Sequence, residues 1–283
     1  MTARAGAGAG GRLTLVATPI GNLGDLSPRA VETLRAADVI ACEDTRHTRK
    51  LLTHAGIPAP RLIAVHDQNE AAQVRTVLRL LEQGSHVALV SDAGTPAVSD
   101  PGERLVAAAT ASGHPVEVVP GPSAVIAALV ASGLPTGRFA FEGFLPRKGA
   151  ERRQRLATIA ADRRTTVLYE APHRVAQTVG DLADACGPLR RVALSRELTK
   201  LHEETWRGTL EGAIAHVAAH APRGEYVIVI DGAPEAAPPD DGDIEAALHA
   251  RLAAGDDRKT AVAAVSAALA VPKRRVYALS LDL

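Results

Sequence analysis

The stretch HVALVSDAGTPAVSDPGERLVAAATASGHPVEVV, residues 86–119, decides the fold. It opens with an apolar, β-branched run (86–90) of the length and character of a buried strand. A loop rich in Gly, Pro, Ser and Asp (91–101) stops that run. Residues 103–111 then repeat apolar positions at helical spacing, and 116–119 is a second apolar strand. Strand, loop, helix, strand is the unit from which parallel sheets are built.

The same rhythm runs outward in both directions. Residues 13–18 read as a buried strand ended by the turn formers of 19–25. Ser27 and Pro28 then start a helix, Ser as its N-cap and Pro in its first turn. Residues 38–42 read as the next strand, 43–50 as a charged stretch, and 74–81 as an amphipathic helix stopped by Gly84. The first α/β domain, with a largely parallel sheet, is expected over 12–120. Beyond the break at 120–123 a helix at 124–131 opens a second α/β domain over 121–232. There, strands are expected at 139–144, 165–169, 191–195, 204–208 and 225–230, in a mixed sheet, with helices at 150–160, 175–185 and 210–219. The Pro- and acid-rich segment 233–243 reads as a linker. Helices at 244–254, 259–269 and 273–279 form a small module similar to a helix-turn-helix.

Composition narrows the function classes. Apolar residues make up 46% of the 283, enough for a sizeable core, but aromatics only 2%. Modules that stack bases on several aromatic rings are therefore disfavoured. Lys plus Arg and Asp plus Glu both number 32, so any nucleic-acid surface has to be a local basic patch. Cys42 and Cys186 lie far apart with no ligand pattern, which argues against a disulfide framework or a zinc site. No apolar run reaches membrane-spanning length. The start, 1–11, is too weakly apolar for a signal peptide and reads as a flexible tail. A soluble, reduced, cytoplasmic protein without a required metal is expected.

Three loops that follow strands carry small residues: 19–25, 91–96 and 120–124. Ligands of parallel sheets bind outside the carboxyl ends of strands, where small residues let the backbone approach them. The first loop is G-x-x-G rather than the dinucleotide G-x-G-x-x-G, and there is no Walker A sequence. The motifs VATPIGNLGDLSPRA (16–30), EDTRHTRKLL (43–52), SDAGTPAVSDPG (91–102), VPGPSA (119–124), GFLPRKG (143–149), YEAPHR (169–174) and RELTKLHEE (196–204) follow one another in order. In these the chain resembles the ribosomal RNA small subunit methyltransferase I family of the tetrapyrrole methylase (class III methyltransferase) superfamily. The resemblance implies two α/β domains with S-adenosylmethionine in the cleft between them. It also implies 2'-O-methylation of a cytidine ribose in the decoding region of 16S rRNA, by a homodimer. Neither a membrane nor DNA is an expected partner. By position, the cofactor residues are expected to be Pro19, Gly94, Thr95, Val98, Ser123 and Ala124, with Tyr169, Glu170 and Glu225 from the second domain. The tetrapyrrole enzymes usually carry Gly-Asp-Pro where this chain has Gly94-Thr95-Pro96, which favours RNA as substrate over a porphyrin ring.

Methylating a ribose hydroxyl requires an in-line approach of oxygen to a methyl sulfonium, a nearby base or charge-stabilising cation, and cations on the RNA phosphates. Glu43 or Asp44 is expected near the acceptor, with Arg46, Arg49 and Lys50 on phosphate. The same charge order, acids before bases, also suits a helix start. Glu170 is a candidate base or hydroxyl-orienting group; on that reading Glu170→Ala lowers turnover more than cofactor affinity. His173 and Arg174 are candidate RNA contacts, though His173 equally suits a structural role. Lys200 is a candidate for stabilising the developing alkoxide, against a surface ion-pair reading. Arg147, Lys148, Arg152 and Arg153 form a basic cluster suited to phosphate or to a solvated helix face. Lys273, Arg274 and Arg275 head the last helix, where cations oppose the dipole, and RNA contact is preferred there. Two rival functions are a tetrapyrrole C-methyltransferase and a non-catalytic RNA-binding factor of ribosome assembly. Neither accounts for the Gly/Pro loops, the Arg-rich segments and the terminal module together.

Overall fold

The computed structural model describes residues 11–66, 68–235, 239–281 and 283. Nearly all of the expected tail, 1–10, and the middle of the expected linker, 236–238, lie outside them. The chain divides into two compact units, one ending at Ala233 and the other beginning at Pro234.

The first unit opens with strand β1 (Arg12–Val16), a short 3-10 turn (Leu23–Asp25) and helix α1 (Pro28–Ala36). Next come β2 (Val39–Cys42), α2 (Thr45–His54), β3 (Arg61–Ala64), α3 (Glu70–Glu82) and β4 (His86–Val90). The first half closes with α4 (Glu103–Ala111) and β5 (Val116–Val119). The five strands form one parallel sheet in the order β3-β2-β4-β1-β5. Leu13, Leu15, Val87 and Leu89 pack on α3 and α4 on one face. Val16, Ile40, Ala88 and Val90 pack on α1 and α2 on the other. Burial on both faces explains why these strands are continuously apolar instead of alternating.

Two elements of this half depart from the sequence reading. Of the stretch 43–50, residues 45–50 belong to α2, capped by Asp44, whose carboxylate accepts from the Arg46 amide at 2.7 Å. Strand β3 went unread because it is a four-residue edge strand, exposed at Arg61, with polar residues following. Gly11, placed in the tail, is buried and donates its N–H to the Leu81 carbonyl at 2.8 Å.

The second half runs α5 (Ala124–Ala131), β6 (Phe139–Phe144), α6 (Gly149–Ala161), β7 (Thr165–Glu170) and α7 (Pro172–Cys186). It continues with β8 (Arg191–Arg196), β9 (Glu204–Thr209), α8 (Leu210–Ala219) and β10 (Tyr226–Ile230). Its sheet, β6-β7-β10-β8-β9, is mixed: β6 and β7 are parallel, and the other pairs are antiparallel. Leu168, Leu194 and Ile228 face α6, α7 and α8. Val167, Ala193, Val227 and Val229 pack against Val125, Ala128 and Leu129 of α5, together with Ile20 from the first half.

The second unit holds α9 (Asp241–Ala253), α10 (Arg258–Ala268) and α11 (Lys273–Ser280) around Ile244, Leu248, Val262, Val265 and Val276. Residues 241–243, expected as linker, form the first turn of α9. Asp240 and Asp243 close a reciprocal capping box there, with Asp240 accepting from the Asp243 amide at 2.8 Å. No helix among the described residues is long and apolar enough to cross a membrane.

Candidate active site

Strand order brings the three Gly/Pro loops together. Strands β4, β1 and β5 are neighbours, so the loops after them leave the same edge of the sheet side by side. From β1 the chain crosses towards β2, whereas from β4 it crosses towards β5. This is a topological switch point, where open parallel sheets leave a crevice. Thr18 and Gly94 exchange backbone hydrogen bonds at 2.9 and 3.1 Å, lashing the first loop to the second. The second sheet supplies the facing wall through its register. Tyr226 lies opposite both Glu170 and Arg196, so the end of β7, the start of β10 and the end of β8 share one edge.

Between these edges lies a cavity of about 380 Å3. Ile20, Gly94, Thr95, Val98, Ser123 and Ala124 line it from the first side. Tyr169, Glu170, Leu198, Glu225, Tyr226 and Val227 line it from the other. Gly94 has φ +83°, and a Cβ there would stand 3.3 Å from Ile20 Cγ2, so the backbone approaches where no side chain fits comfortably. Ser123 is the N-cap of α5 but makes no side-chain cap bond, which leaves the positive end of the helix open to the cavity. All three phenylalanines of the chain are in β6, and two of them, Phe141 and Phe144, pack on Tyr169 with ring centroids 5.0 and 5.6 Å away. Burial, then the Asp100 carboxylate, push the Tyr169 hydroxyl up to about 12, so it stays protonated at neutral pH.

Backbone strain gathers at the same place. Ala97 and Ser99 hold φ of 66° and 61°, and Glu197 and Thr199 hold 50° and 66°, on the two loops that face each other across the cavity. Non-glycine residues adopt this region at a cost and are kept there by their surroundings. The loop after β1 touches the 197–199 turn as well: the Asn22 amide donates to Thr199 Oγ1 at 3.1 Å.

Eight of the nine expected cofactor residues line the cavity: Gly94, Thr95, Val98, Ser123, Ala124, Tyr169, Glu170 and Glu225. Pro19 is buried and Ile20 takes the lining position next to it. Leu198, Tyr226 and Val227 had not been read as site residues, since an apolar run in a strand carries no mark of facing a ligand. Three of the expected catalytic residues, Glu170, Asp44 and Lys200, are engaged by neighbouring groups. The Glu170 side chain is fully buried, and both of its oxygens are engaged. Oε2 accepts from Thr178 Oγ1 at 2.6 Å, and Oε1 accepts from the Ala171 amide at 2.9 Å and pairs with Arg174 Nε at 3.2 Å. A carboxylate so occupied holds the start of α7. Asp44 caps α2, and hydrogen bonds from the Arg46 side chain, then its amide, hold its carboxyl far below the usual range, which makes it a weak base. Lys200 spans Glu197 Oε1 at 2.9 Å and Glu225 Oε2 at 2.8 Å. Burial opposes its charge, but these two hydrogen bonds outweigh it and raise its pKa, so Lys200 braces the Glu225 wall. Glu43 stands half-buried at the end of β2, beside the loop after β4; the adjacent Asp44 amide donates to Asp92 Oδ1 at 3.1 Å. His47, which sequence reading passed over, pairs with Asp92 through Nδ1 at 3.0 Å.

The expected RNA contacts divide in the same way. Arg46, Arg49 and Lys50 on α2, Arg147, Lys148 and Arg153 around the start of α6, and His173 are exposed. Arg152 is not: its side chain is 5% exposed and bound to Asp181 Oδ2 at 2.7 Å, the Pro146 carbonyl at 2.9 Å and Thr178 Oγ1 at 3.0 Å. Arg174 is turned inward as well, onto Glu170 and the Leu145 carbonyl at 2.6 Å. Neither guanidinium is presented to a phosphate. The signal was in the spacing, since Arg152 shares a helical face with the buried Leu156 and Ile159.

Residues 12–214 match the model of the Tetrapyrrole (Corrin/Porphyrin) Methylases. The chain is 49% identical over 275 residues to ribosomal RNA small subunit methyltransferase I of Synechocystis, covering 96% of this chain and 98% of that one. To the protein of the same name from Xylella fastidiosa it is 52% identical over 225 residues, covering 79% and 82%. Among solved structures, it is similar to uroporphyrin-III C-methyltransferase from Thermus thermophilus in complex with S-adenosyl homocysteine. The TM-score is 0.55 at 24% identity, with 77% of this chain and 96% of that one covered. The chain belongs to the tetrapyrrole methylase family, on the branch named ribosomal RNA small subunit methyltransferase I.

Proposed function

We propose that this protein transfers the methyl group of S-adenosylmethionine to the 2'-oxygen of a cytidine ribose in the decoding region of 16S rRNA. The observation that carries the reading is the cavity walled by Gly- and Pro-bearing loops of one sheet and by the β7, β8 and β10 edge of the other. Its volume suits a ligand of this size. Its chemistry suits the parts: small residues at Gly94 and Ala124 for a close-lying nucleoside, and the open start of α5 for a carboxylate. Asp100 and Glu225 are suited to cationic groups. The cofactor supplies an electrophilic methyl on a positively charged sulfur, and the chain has to hold it, exclude water and present the ribose.

The acceptor side is assigned to the rim next to the loop after β4, with Glu43 as the candidate proton acceptor and Asp44, His47 and Asp92 positioning it. Arg46, Arg49 and Lys50 on α2, and Arg147, Lys148, Arg153 and His173, are proposed to hold the RNA. A second copy of the chain is proposed to cover the exposed Ile126 and Val130 of α5 and Val118 of the edge strand β5. The cytoplasm is the proposed compartment. Deleting the gene and mapping ribose methylation in small-subunit rRNA by mass spectrometry tests the substrate, and an unchanged inventory refutes it. Calorimetry with S-adenosylmethionine tests the cavity: Gly94→Ala is expected to weaken binding, and Glu43→Gln to spare binding while lowering turnover.

A further inference from the structure

The 234–283 unit carries eight carboxylates against six cations, so nothing in its bulk charge attracts an anion. Yet five of the six cations sit in the first three positions of two helices: Arg258 and Lys259 on α10, and Lys273, Arg274 and Arg275 on α11. That is the end where a helix dipole disfavours positive charge. Arg275 is accounted for by Asp241, 2.7 Å away. The other four line one groove of about 450 Å3, with the buried Val262 at its floor and Tyr277, 54% exposed, on its side. Nearby carboxylates are already engaged. Asp257 caps α10, accepting from the Thr260 amide at 2.7 Å, and Asp256 pairs with Arg251 at 2.6 Å. No side chain caps α11, whose N-cap is Pro272.

We propose that this groove is an RNA-docking surface. Arg258, Lys259, Lys273 and Arg274 take successive backbone phosphates of a single-stranded or looped segment, and Tyr277 stacks on a base. The inference rests on the reading of the protein as an enzyme acting on rRNA. Four cations around one hollow can neutralise several phosphates of a nucleic-acid backbone. The start of α11, which no side chain caps, lies beside the groove and adds partial positive charge of its own. A tyrosine ring beside such a groove is the stacking platform that single-stranded RNA uses. The groove wall itself is apolar, from Val262, the Tyr277 ring and the aliphatic stems, and four of the six side chains lining it carry a positive charge, a pairing that suits a stacked base flanked by phosphates.

The test uses the full chain and a fluorescently labelled single-stranded fragment of small-subunit rRNA, titrated by anisotropy over a range of salt. Lys273→Glu with Arg274→Glu is expected to weaken binding at least tenfold and to flatten the salt slope by about 0.7 per cation removed. The same change replaces cations with anions at a helix start, so its melting temperature is expected to hold or rise. Tyr277→Ala is expected to weaken binding about fivefold with the salt slope kept. Cofactor affinity by calorimetry is expected to be unchanged in all three proteins. A charge-reversed protein that binds RNA like wild type overturns the proposal, as does a groove that holds phosphatidylserine vesicles in place of RNA. If wild type methylates small-subunit rRNA while the groove variants bind RNA normally, the inference fails and the enzymatic reading stands. If wild type neither binds cofactor nor methylates, the enzymatic reading fails, and the anisotropy alone judges the groove.

Discussion

Replacing Glu170 by alanine removes the centre of a buried polar chain. Asp181, Arg152, Thr178, Glu170 and Arg174 are linked in sequence by contacts of 2.6 to 3.2 Å. Without the carboxylate, Thr178 loses its acceptor, the Ala171 amide loses its partner, and the Arg174 guanidinium keeps only the Leu145 carbonyl. Stranding a buried charge costs about 3–5 kcal/mol. Arg174 retains 16% side-chain exposure, so water softens the penalty and the low end, about 3 kcal/mol, applies. For a unit of this size that is a fall in Tm of roughly 6–12 °C. Glu170→Gln keeps an acceptor for Thr178 and loses only the ionic part, so about half that fall is expected. Because Tyr169, Glu170, Ala171 and Pro172 all line the cavity, cofactor affinity is expected to fall together with turnover in the alanine variant. Thermal melts, calorimetric titration of S-adenosylmethionine and methyl incorporation measured well below the melt check this. A Glu170→Gln protein with wild-type Tm and cofactor affinity but turnover reduced a hundredfold would refute it and return Glu170 to the chemistry.

Other expectations follow from single contacts. Gly94→Ala places a methyl 3.3 Å from Ile20 Cγ2 at φ +83°, so cofactor affinity in calorimetry should drop about tenfold while the fold persists, a loss of roughly 1.4 kcal/mol. Glu70 is buried, and its Oε1 accepts from the amides of Gly102, Arg104 and Leu105 at 3.0, 3.0 and 3.3 Å, capping α4 from a distance. Glu70→Ala should cost about 2–3 kcal/mol in urea unfolding and Glu70→Gln much less; equal losses would count against the cap. Burial above all, then the Arg12 guanidinium, hold the His86 imidazole below its ordinary 6.5. The unfolded chain therefore binds the extra proton first, and stability should be complete above 6.5 and decline as pH falls towards the folded pKa. Comparing melts of wild type and His86→Gln across that window isolates the effect, and parallel curves would disprove it.

Much of this architecture is legible in the sequence because local chemistry and fold agree. The strands at His86–Val90, Val116–Val119 and Phe139–Phe144 are read to the residue, since each is an apolar run between turn formers. The cavity loops are legible for a related reason: Gly94, Pro96, Gly121 and Pro122 follow strand ends, and the close approach of Gly94 to Ile20 and of Gly121 to Ala17 is what small residues there permit. Side-chain direction is not legible in the same way. Arg152 and Arg174 sit in basic, polar segments that resemble solvent-facing helix starts, and only packing against Asp181 and Glu170 turns them inward. Glu170, Asp44 and Lys200 have the residue types catalysis uses, but their hydrogen bonds go to Thr178, to the α2 cap, and to Glu197 and Glu225, pairings that residue type alone does not reveal. The wall formed by Leu198, Tyr226 and Val227 depends on the register of antiparallel pairs, which no local pattern encodes.

The left-handed turns at Ala97, Ser99, Glu197 and Thr199 imply something about how this protein can be altered. Each forgoes on the order of 1 kcal/mol that a glycine would recover in backbone comfort. Glycine would also loosen the unfolded chain and free the loop, returning part of that gain. The mouth of the cavity is thus the place where a thermostable version would be easiest to make and where rigidity of shape would be lost first.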